Sequence, residues 1–242
     1  MKAPLLHIQI KSIYKNGNQN VLLPSRLAQC TPDTHNAIFA LSDELQKVGG
    51  ELVLSDLFRS YDMQYQANLD YKTGKKKAYS PPPGGSLHEA GRSMDIDLSK
   101  IKISLKDFWV IAEKYGFYPI IKTPSTKLSE AWHFDCRGSH HVVYDYYRNG
   151  KASNMNAYTA MAVSAILAIG IHVDKFAGRN NEAFIQSGLI RLGFEIGNID
   201  GFIGAKTNSA LLKIGNKATT IEETVAFLES KLQEKYPNEY TI

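Results

Sequence analysis

The stretch "GGSLHEAGRSMDIDL", residues 84–98, decides how this chain is interpreted. It contains one imidazole, His88, and two carboxylates, Asp95 and Asp97, among glycine and serine residues. Apolar residues alternate with the two acids, which is the pattern of a half-buried β-strand. We therefore expect both acids on one face of a strand, with Gly91 allowing a sharp turn between that strand and His88.

The composition is that of an ordinary globular protein. The chain has 242 residues, of which 43% are hydrophobic and 21% are charged, and this length suits one medium and one small domain. A net charge of +4 is too weak to indicate a nucleic-acid partner, although it suits a polyanionic surface. The basic run "KTGKKK", residues 72–77, predicts a solvated loop, with contact to an anionic polymer as the alternative.

The N-terminus, the longest apolar stretch and the cysteines say little about where the protein acts. The N-terminal residues "MKAPLLHIQIKS" lack the apolar run of a signal peptide. The longest apolar stretch, residues 157–173, is alanine-rich and interrupted by polar residues, so it predicts a buried helix and no membrane span. Cys30 and Cys136 allow at most one disulfide and leave the redox compartment open.

The hydrophobic periodicity predicts an α+β fold in which helices are set apart from a small antiparallel sheet. Apolar spacing places helices at residues 33–48, 62–71 and 105–117, and alternation places strands within residues 49–60, 93–99 and 129–136. The polar, turn-forming residues 149–156 then separate a domain of residues 1–148 from a linker and a small three-helix domain, residues 149–242.

A catalytic zinc site needs three protein ligands, an open position for water and a carboxylate that takes a proton. His88, Asp95, His133 and Glu130 supply that set. In "EAWHF", residues 130–134, strict alternation would place Glu130 and His133 on opposite faces. A bulge or a turn leading into the strand must therefore aim both side chains at the metal.

A rival metal site is possible in "HFDCRGSHH", residues 133–141. It would combine His133, Cys136, His140 and His141. We disfavour it because it leaves Glu130 and the residues of the first stretch unexplained, and because it fills the coordination position that water requires. Cys136 is interpreted instead as a small buried hydrophobic residue.

Two motifs together resemble the paired signature of the zinc D,D-peptidases of family M15, which includes D,D-carboxypeptidases of the vancomycin-resistance type and phage L-alanyl-D-glutamate endopeptidases. The matching residues are Ser86-x-His88-x-x-Gly91-x-Ser93-x-Asp95 and Glu130-x-Trp132-His133. Ser93 stands where alanine is common in the family, and we expect this small residue to leave metal binding intact.

The resemblance implies that His88, Asp95 and His133 bind Zn²⁺ and that Glu130 is the general base, which later delivers its proton to the leaving amine. The segment "DLFRSYDMQ", residues 56–64, resembles the part of the family that carries a substrate-binding arginine, here Arg59. A guanidinium there would hold a substrate carboxylate or the oxyanion. Asp97, expected on the same strand face, is the competing ligand to Asp95, but we interpret it as an acid that orients a ligand or stabilises the fold.

Residues 184–214 resemble the three-helix peptidoglycan-binding domain. The hallmark positions are Gln186, Leu189, Leu192, Gly193, Ile199, Asp200, Gly201, Gly204 and Thr207. Ala205 replaces the usual proline, and the usual Phe-Gln after the start of the last helix is missing. Without the resemblance, the glycines would mark helix caps and turns.

The two resemblances imply a monomeric, zinc-dependent enzyme that binds peptidoglycan and cleaves its stem peptide as an endolysin-like endopeptidase. The alternatives are a D-alanyl-D-alanine carboxypeptidase and a non-catalytic wall-binding protein with the zinc fold. Because no signal peptide is predicted, we expect the chain to stay in the cytoplasm until lysis releases it to the wall, unless a signal has been trimmed from the sequence.

Overall fold

The computed structural model describes residues 1–241, and the chain divides into two compact units. The first, called the site unit, comprises Leu5–Pro82 and Ser86–Gly138. The second, called the helical unit, comprises Met1–Pro4, Pro83–Gly85 and Ser139–Thr241. That residues 1–148 and residues 149–242 fold as independent domains stays a prediction.

The site unit contains eight strands and three α-helices. The strands are β1 (Leu6–His7), β2 (Lys11–Asn16), β3 (Gln19–Leu22), β4 (Gln29–Cys30), β5 (Leu54–Asp56), β6 (Ser93–Ile96), β7 (Phe117–Pro119) and β8 (His133–Cys136). The helices are α1 (Pro32–Lys47), α2 (Tyr61–Lys72) and α3 (Leu105–Lys114). The three helices confirm the sequence expectation, and the fold class is α+β.

The main sheet is mixed, with the strand order β3-β2-β5-β6-β8-β7, and β1 pairs with β4 separately. Four of its five neighbouring pairs are antiparallel, and the fifth, β2 with β5, runs parallel at Ser12 and Leu54. The expectation of a purely antiparallel sheet is therefore wrong at this pair. The chain passes through β3 and the whole of α1 between these strands, which is the long crossover that parallel pairing requires.

The strand predicted over residues 93–99 ends early, so only one of its two acids belongs to the sheet. Asp97 instead begins a 3₁₀ helix, Leu98–Lys100, and its carboxylate accepts hydrogen bonds from the Ser99 amide and hydroxyl at 2.9 and 2.7 Å. Such local bonding competes with a strand ladder. The expectation of both acids on one strand face is therefore wrong, and Asp97 stabilises the fold locally.

Helices α1 and α3 supply much of the apolar core of the site unit. Ile38, Leu41 and Leu45 from α1 are fully buried, and Phe108 of α3 meets Phe134 of β8 edge to face, with ring centroids 5.0 Å apart. Burying each such side chain contributes about 1.5–3 kcal/mol. This core fixes strands β6 and β8, which carry candidate site residues.

The helical unit contains α4 (His141–Arg148), α5 (Ala157–Ala168), α6 (Asn180–Arg191), α7 (Ala205–Lys213) and α8 (Ile221–Lys235). Within residues 149–241 there are thus four α-helices, one more than predicted, because the alanine-rich α5 adds to the other three. As expected for a buried helix, nine successive residues of α5, from Ala160 to Ala168, are buried. Between residues 1 and 241, no helix combines the length and apolarity needed to cross a bilayer.

Candidate metal centre

His88 lies in a short 3₁₀ helix, Leu87–Ala90, that begins with a capping box between Ser86 and Glu89. Gly91 ends this helix in the left-handed conformation, with φ of 61°. A Cβ atom on Gly91 would lie 2.7 Å from the Cα atom of Cys30, so the backbone approach also excludes a side chain. The sharp turn predicted at Gly91 is thus present, and it leads directly into β6.

Asp95 and His133 face each other on the antiparallel strands β6 and β8. The Oδ1 atom of Asp95 lies 2.9 Å from Nδ1 of His133 and 3.4 Å from Nε2 of His88. One ligand atom from each of the three residues lies within 4.8 Å of the others, and all three residues are buried. The structure therefore brings together the three residues predicted to bind metal.

The hydrogen bond of His88 defines which ring nitrogen is available to a metal. Its Nδ1 atom lies 3.0 Å from the carbonyl oxygen of Leu57, which can only accept, so Nδ1 carries the proton. Nε2 faces Oδ1 of Asp95 at 3.4 Å and is buried without a hydrogen-bond partner, so it is the nitrogen available to a metal. Buried polar atoms are rarely left unsatisfied, and a bound cation would satisfy this one.

His133 is oriented by a carboxylate that the sequence analysis missed. Its Nε2 atom lies 2.9 Å from Oδ1 of Asp135, which also accepts a hydrogen bond from the Ser93 hydroxyl at 2.7 Å. Nε2 therefore keeps its proton toward Asp135, and Nδ1, which faces Asp95 at 2.9 Å, is the nitrogen that can give up its proton to a metal. Asp135, rather than Asp97, is the acid that orients a candidate ligand. The signal was available, because residues two apart on a strand share a face.

Two imidazole nitrogens and one carboxylate oxygen form a donor set that suits Zn²⁺, since three protein ligands leave a position open for water. The residues present therefore fit the predicted metal. Among residues 1–241, no other group of three such side chains converges in this way. In the rival site, Cys136 is a buried thiol whose pKa is raised by burial to about 11, and His140 bonds Ser164 at 2.9 Å. The rival site is therefore not assembled.

Charges within the cluster reinforce one another in the metal-free state. Burial alone would raise the pKa of Asp95, but the imidazoles of His88 and His133 hold it well below its usual range. Burial would lower the pKa of His133, but the Asp135 and Asp95 carboxylates outweigh it and raise that pKa to about 10. A metal ion that binds Nδ1 must therefore displace a proton from His133.

Glu130 lies in the turn that leads into β8, as the sequence analysis required. Its φ of 67° is unusual for a residue other than glycine, and its carbonyl accepts the His133 amide at 3.0 Å. The side chain is half-buried, and burial raises its pKa, with the nearby Asp95 charge adding to the effect and His133 opposing it. A carboxyl with a raised pKa beside a metal centre is suited to taking up and releasing a proton.

Arg59 contacts the cluster directly. Its Nη2 atom lies 3.3 Å from Oδ2 of Asp95, Nε lies 2.5 Å from Asp56, and Nη1 donates to Gln64 at 3.3 Å. Burial opposes the charged form, but the Asp56 and Asp95 carboxylates outweigh it and raise the pKa of Arg59. The guanidinium is therefore a fixed positive charge at the edge of the candidate centre.

Three of the nine hallmark positions of the helical unit, Gln186, Asp200 and Gly201, contact one another. The Gln186 side-chain oxygen accepts the backbone amides of Asp200 and Gly201 at 2.9 and 2.8 Å. Its nitrogen donates to Asp200 Oδ1 and to the Phe202 carbonyl at 2.8 and 2.9 Å. These contacts fix the turn between α6 and α7, so this part of the pattern stabilises the fold.

No protein-family model matches the chain, and no curated protein sequence matches it. The solved structure of the LdcB LD-carboxypeptidase, described as revealing the molecular basis of peptidoglycan recognition, is 21% identical with a TM-score of 0.41. That match covers 54% of this chain and 66% of LdcB, just under two thirds. DacB from Streptococcus pneumoniae D39 is 21% identical with a TM-score of 0.35, over 50% of this chain and 78% of DacB.

A second DacB structure, described as an L,D-carboxypeptidase, is 20% identical with a TM-score of 0.34, over 55% of this chain and 85% of that protein. These similarities assign neither a family nor an activity to the chain.

Proposed function

We propose that this protein is a zinc-dependent hydrolase that cleaves an amide bond in the stem peptide of peptidoglycan. The observation that carries the proposal is the buried convergence of His88, Asp95 and His133, in which Nε2 of His88 lacks a hydrogen-bond partner. The choice of peptidoglycan rests on the M15-type spacing of these residues together with Glu130 and Trp132.

His88 would bind zinc through Nε2, His133 through Nδ1, and Asp95 through its carboxylate. Zinc bound there would supply Lewis-acid activation of a water molecule and of the scissile carbonyl. Glu130 takes the proton of the attacking water and later gives it to the leaving amine, which its raised pKa favours. This role is supported by the pKa of Glu130, on which the charges of both His133 and Asp95 act.

Arg59 binds the anionic part of the substrate in this proposal. Contacts with Asp56, Gln64 and Asp95 use three of its nitrogen atoms and fix the plane of the guanidinium, which has five N–H donors in all. The remaining N–H donors can bind a carboxylate or the developing oxyanion, and the side chain does not have to change its rotamer to do so. Arg59 is therefore a preorganised anion site beside the reacting bond.

For the bond cleaved, we favour endolysin-like endopeptidase action, because a hydrolase joined to a wall-binding unit is suited to an insoluble substrate. The alternative is a D-alanyl-D-alanine carboxypeptidase, for which Arg59 would hold the terminal carboxylate. Amidating that carboxylate should abolish carboxypeptidase activity and leave endopeptidase activity nearly unchanged. Mass spectrometry of digested pentapeptide muropeptides separates the two, since release of free D-alanine alone would refute the endopeptidase proposal.

A non-catalytic zinc protein is the second candidate. Its centre would need no base, whereas here a half-buried carboxyl with a raised pKa lies at the cluster on a backbone with positive φ. The test is Glu130→Gln, measured for zinc content and for hydrolysis of purified wall. Retained zinc with turnover lowered by roughly 10²–10⁴-fold supports the enzyme. Zinc-loaded wild-type protein that hydrolyses no wall would favour the non-catalytic candidate.

The proposal extends to the helical unit and to delivery. We propose that the helical unit binds peptidoglycan, because the sequence of residues 184–214 resembles the three-helix peptidoglycan-binding domain, and that the protein acts as a monomer. We also propose that it reaches the wall by lysis, as an endolysin does. Fractionation of cells expressing the full native gene tests delivery, and efficient export through an N-terminal extension would exclude the endolysin route.

A further inference from the structure

Helix α2 buries polar side chains against the site unit. Gln64 and Asn68 are both buried, and they bind the loop that follows the helix. Gln64 donates to the Ser80 hydroxyl and the Pro81 carbonyl at 3.0 and 2.6 Å, and Asn68 donates to the Ser80 carbonyl at 2.7 Å. A surface helix normally turns its apolar residues inward. The aromatic residues of α2 therefore need another explanation.

Two of those aromatic residues lie in one exposed row with a leucine and a lysine. Tyr61, Tyr65 and Leu69 are 38%, 54% and 40% exposed, and Lys72 is exposed as well. They occupy positions i, i+4, i+8 and i+11, so they share one helical face and form a stripe roughly 16 Å long. We call these four residues the tyrosine stripe. Contiguous apolar groups on a surface mark binding sites more often than scattered ones.

Positive charge continues from the end of the stripe. Lys75, Lys76 and Lys77 follow in the loop after α2, and Lys75 and Lys77 are exposed. From residue 61 to residue 79 the sequence has four lysines against two aspartates, and the Asp70 carboxylate already accepts a hydrogen bond from the Gln66 side chain. The stripe is thus bordered by cations at its C-terminal end.

The same helix also contacts the candidate centre. Ser60, the residue after Arg59, caps the start of α2, and Gln64 accepts a hydrogen bond from the Arg59 guanidinium at 3.3 Å. A polymer lying on α2 would therefore extend from the anion-binding end of the centre. This continuity connects the stripe to the substrate of the proposed reaction.

We propose that the tyrosine stripe binds the glycan strand of peptidoglycan, with sugar rings against Tyr61 and Tyr65 and stem-peptide carboxylates near Lys72, Lys75 and Lys77. The inference rests on the proposed function for the identity of the polymer. Tyrosine rings offer flat, rigid contact surfaces with a polar tip, and lysines supply mobile point charges for carboxylates. The stripe is a positioning surface, since its residues are not among the candidate metal ligands.

Co-sedimentation with sacculi stripped of teichoic acid tests this inference. Glu130→Gln protein is used throughout, so that turnover is not required for the measurement. Adding Tyr65→Ala with Lys72→Gln should weaken binding about tenfold, as expected when one aromatic anchor and one charge are lost. The matched control, Phe39→Ala with Lys106→Gln, removes an exposed aromatic and an exposed lysine elsewhere in the site unit and should change binding less than twofold.

The outcomes separate this inference from the proposed function. Stripe variants made with Glu130 intact should cleave a soluble, sugar-free stem peptide like the wild type. If no protein cleaves that peptide, the proposed function fails while the binding result still stands. Unchanged sedimentation of the stripe variant, an equal loss in the control, or binding that requires teichoic acid would each overturn the inference.

Discussion

Two motif-bearing regions of this molecule treat their buried polar atoms differently. In the helical unit, the amide of Gln186 makes four hydrogen bonds to one turn and uses its oxygen and both hydrogens. In the site unit, Nε2 of His88 and Oδ2 of Asp135 are buried without a partner. A motif whose buried polar atoms all have hydrogen-bond partners stabilises the fold. A motif with buried polar atoms that lack partners indicates that a binding partner is missing.

The largest expected effect is on the unsatisfied region. The double variant His88→Ala with His133→Ala removes both nitrogen ligands and should abolish stoichiometric zinc binding, because one carboxylate cannot hold the ion alone. Metal analysis after dialysis measures this. Full zinc occupancy in the double variant would mean that the centre has been assigned to the wrong residues.

A substitution at Gln186, whose hydrogen bonds are all satisfied, should change stability and not metal binding. Gln186→Ala leaves the amides of Asp200 and Gly201 unpaired and should lower the free energy of unfolding by about 2–4 kcal/mol. Zinc content should not change. Denaturant unfolding measures the effect, with Gln66→Ala as control, since that exposed amide bonds only Asp70. If both glutamines gave equal effects, the distinction between the two regions would fail.

The centre should also couple metal binding to pH. Because the pKa of His133 is raised to about 10, the metal-free ring is protonated at neutral pH, and zinc must displace that proton from Nδ1. Zinc affinity should then rise about tenfold per pH unit from this group and level off near its pKa. Calorimetry in two buffers with different ionisation enthalpies counts the protons released, and fewer than one at pH 7 would contradict the assignment.

The raised pKa of His133 also makes the stability of the metal-free protein depend on pH. The folded pKa of His133 lies above the unfolded value of about 6.5. The imidazolium therefore stabilises the metal-free fold fully below about pH 6.5, and this contribution is lost as the pH rises toward about 10. Urea unfolding of metal-free protein across this window should show stability that declines with pH, which a His133→Gln variant should lack.

Local patterns predicted the helices and the three residues that converge at the candidate centre, but not the hydrogen bonds that orient those residues. The period of apolar residues was sufficient for α1, and the left-handed turn at Gly91 followed from its place between His88 and the strand. The proton on Nδ1 of His88 could not be predicted, because its acceptor, the carbonyl of Leu57, lies 31 residues away in the chain. Sequence patterns give residue types and faces, whereas tautomers depend on long-range packing.

Two other differences arose from competition between local and distant bonding. Asp97 left its strand because its carboxylate bonds the Ser99 amide two residues on, a local interaction that outweighed the alternating pattern. The parallel pairing of Ser12 with Leu54 depends on where the chain re-enters the sheet after α1. The alternation of apolar and polar residues within one strand carries no information about that position. Asp135, by contrast, was predictable from its spacing to His133.

The smallest predicted effect concerns Ser93, where the M15-like pattern usually has alanine. Its hydroxyl donates to Asp135 at 2.7 Å, and Asp135 in turn fixes His133. Asp135→Asn should weaken zinc binding roughly 10–100-fold, as loss of a carboxylate that orients a ligand does. Ser93→Ala removes only one hydrogen bond to that carboxylate, about 1 kcal/mol, so a decrease in zinc affinity of about fivefold is expected. Competition with a chelator of known affinity measures both. A loss in Ser93→Ala as large as in Asp135→Asn would show that the hydroxyl, rather than the carboxylate, controls the orientation of His133.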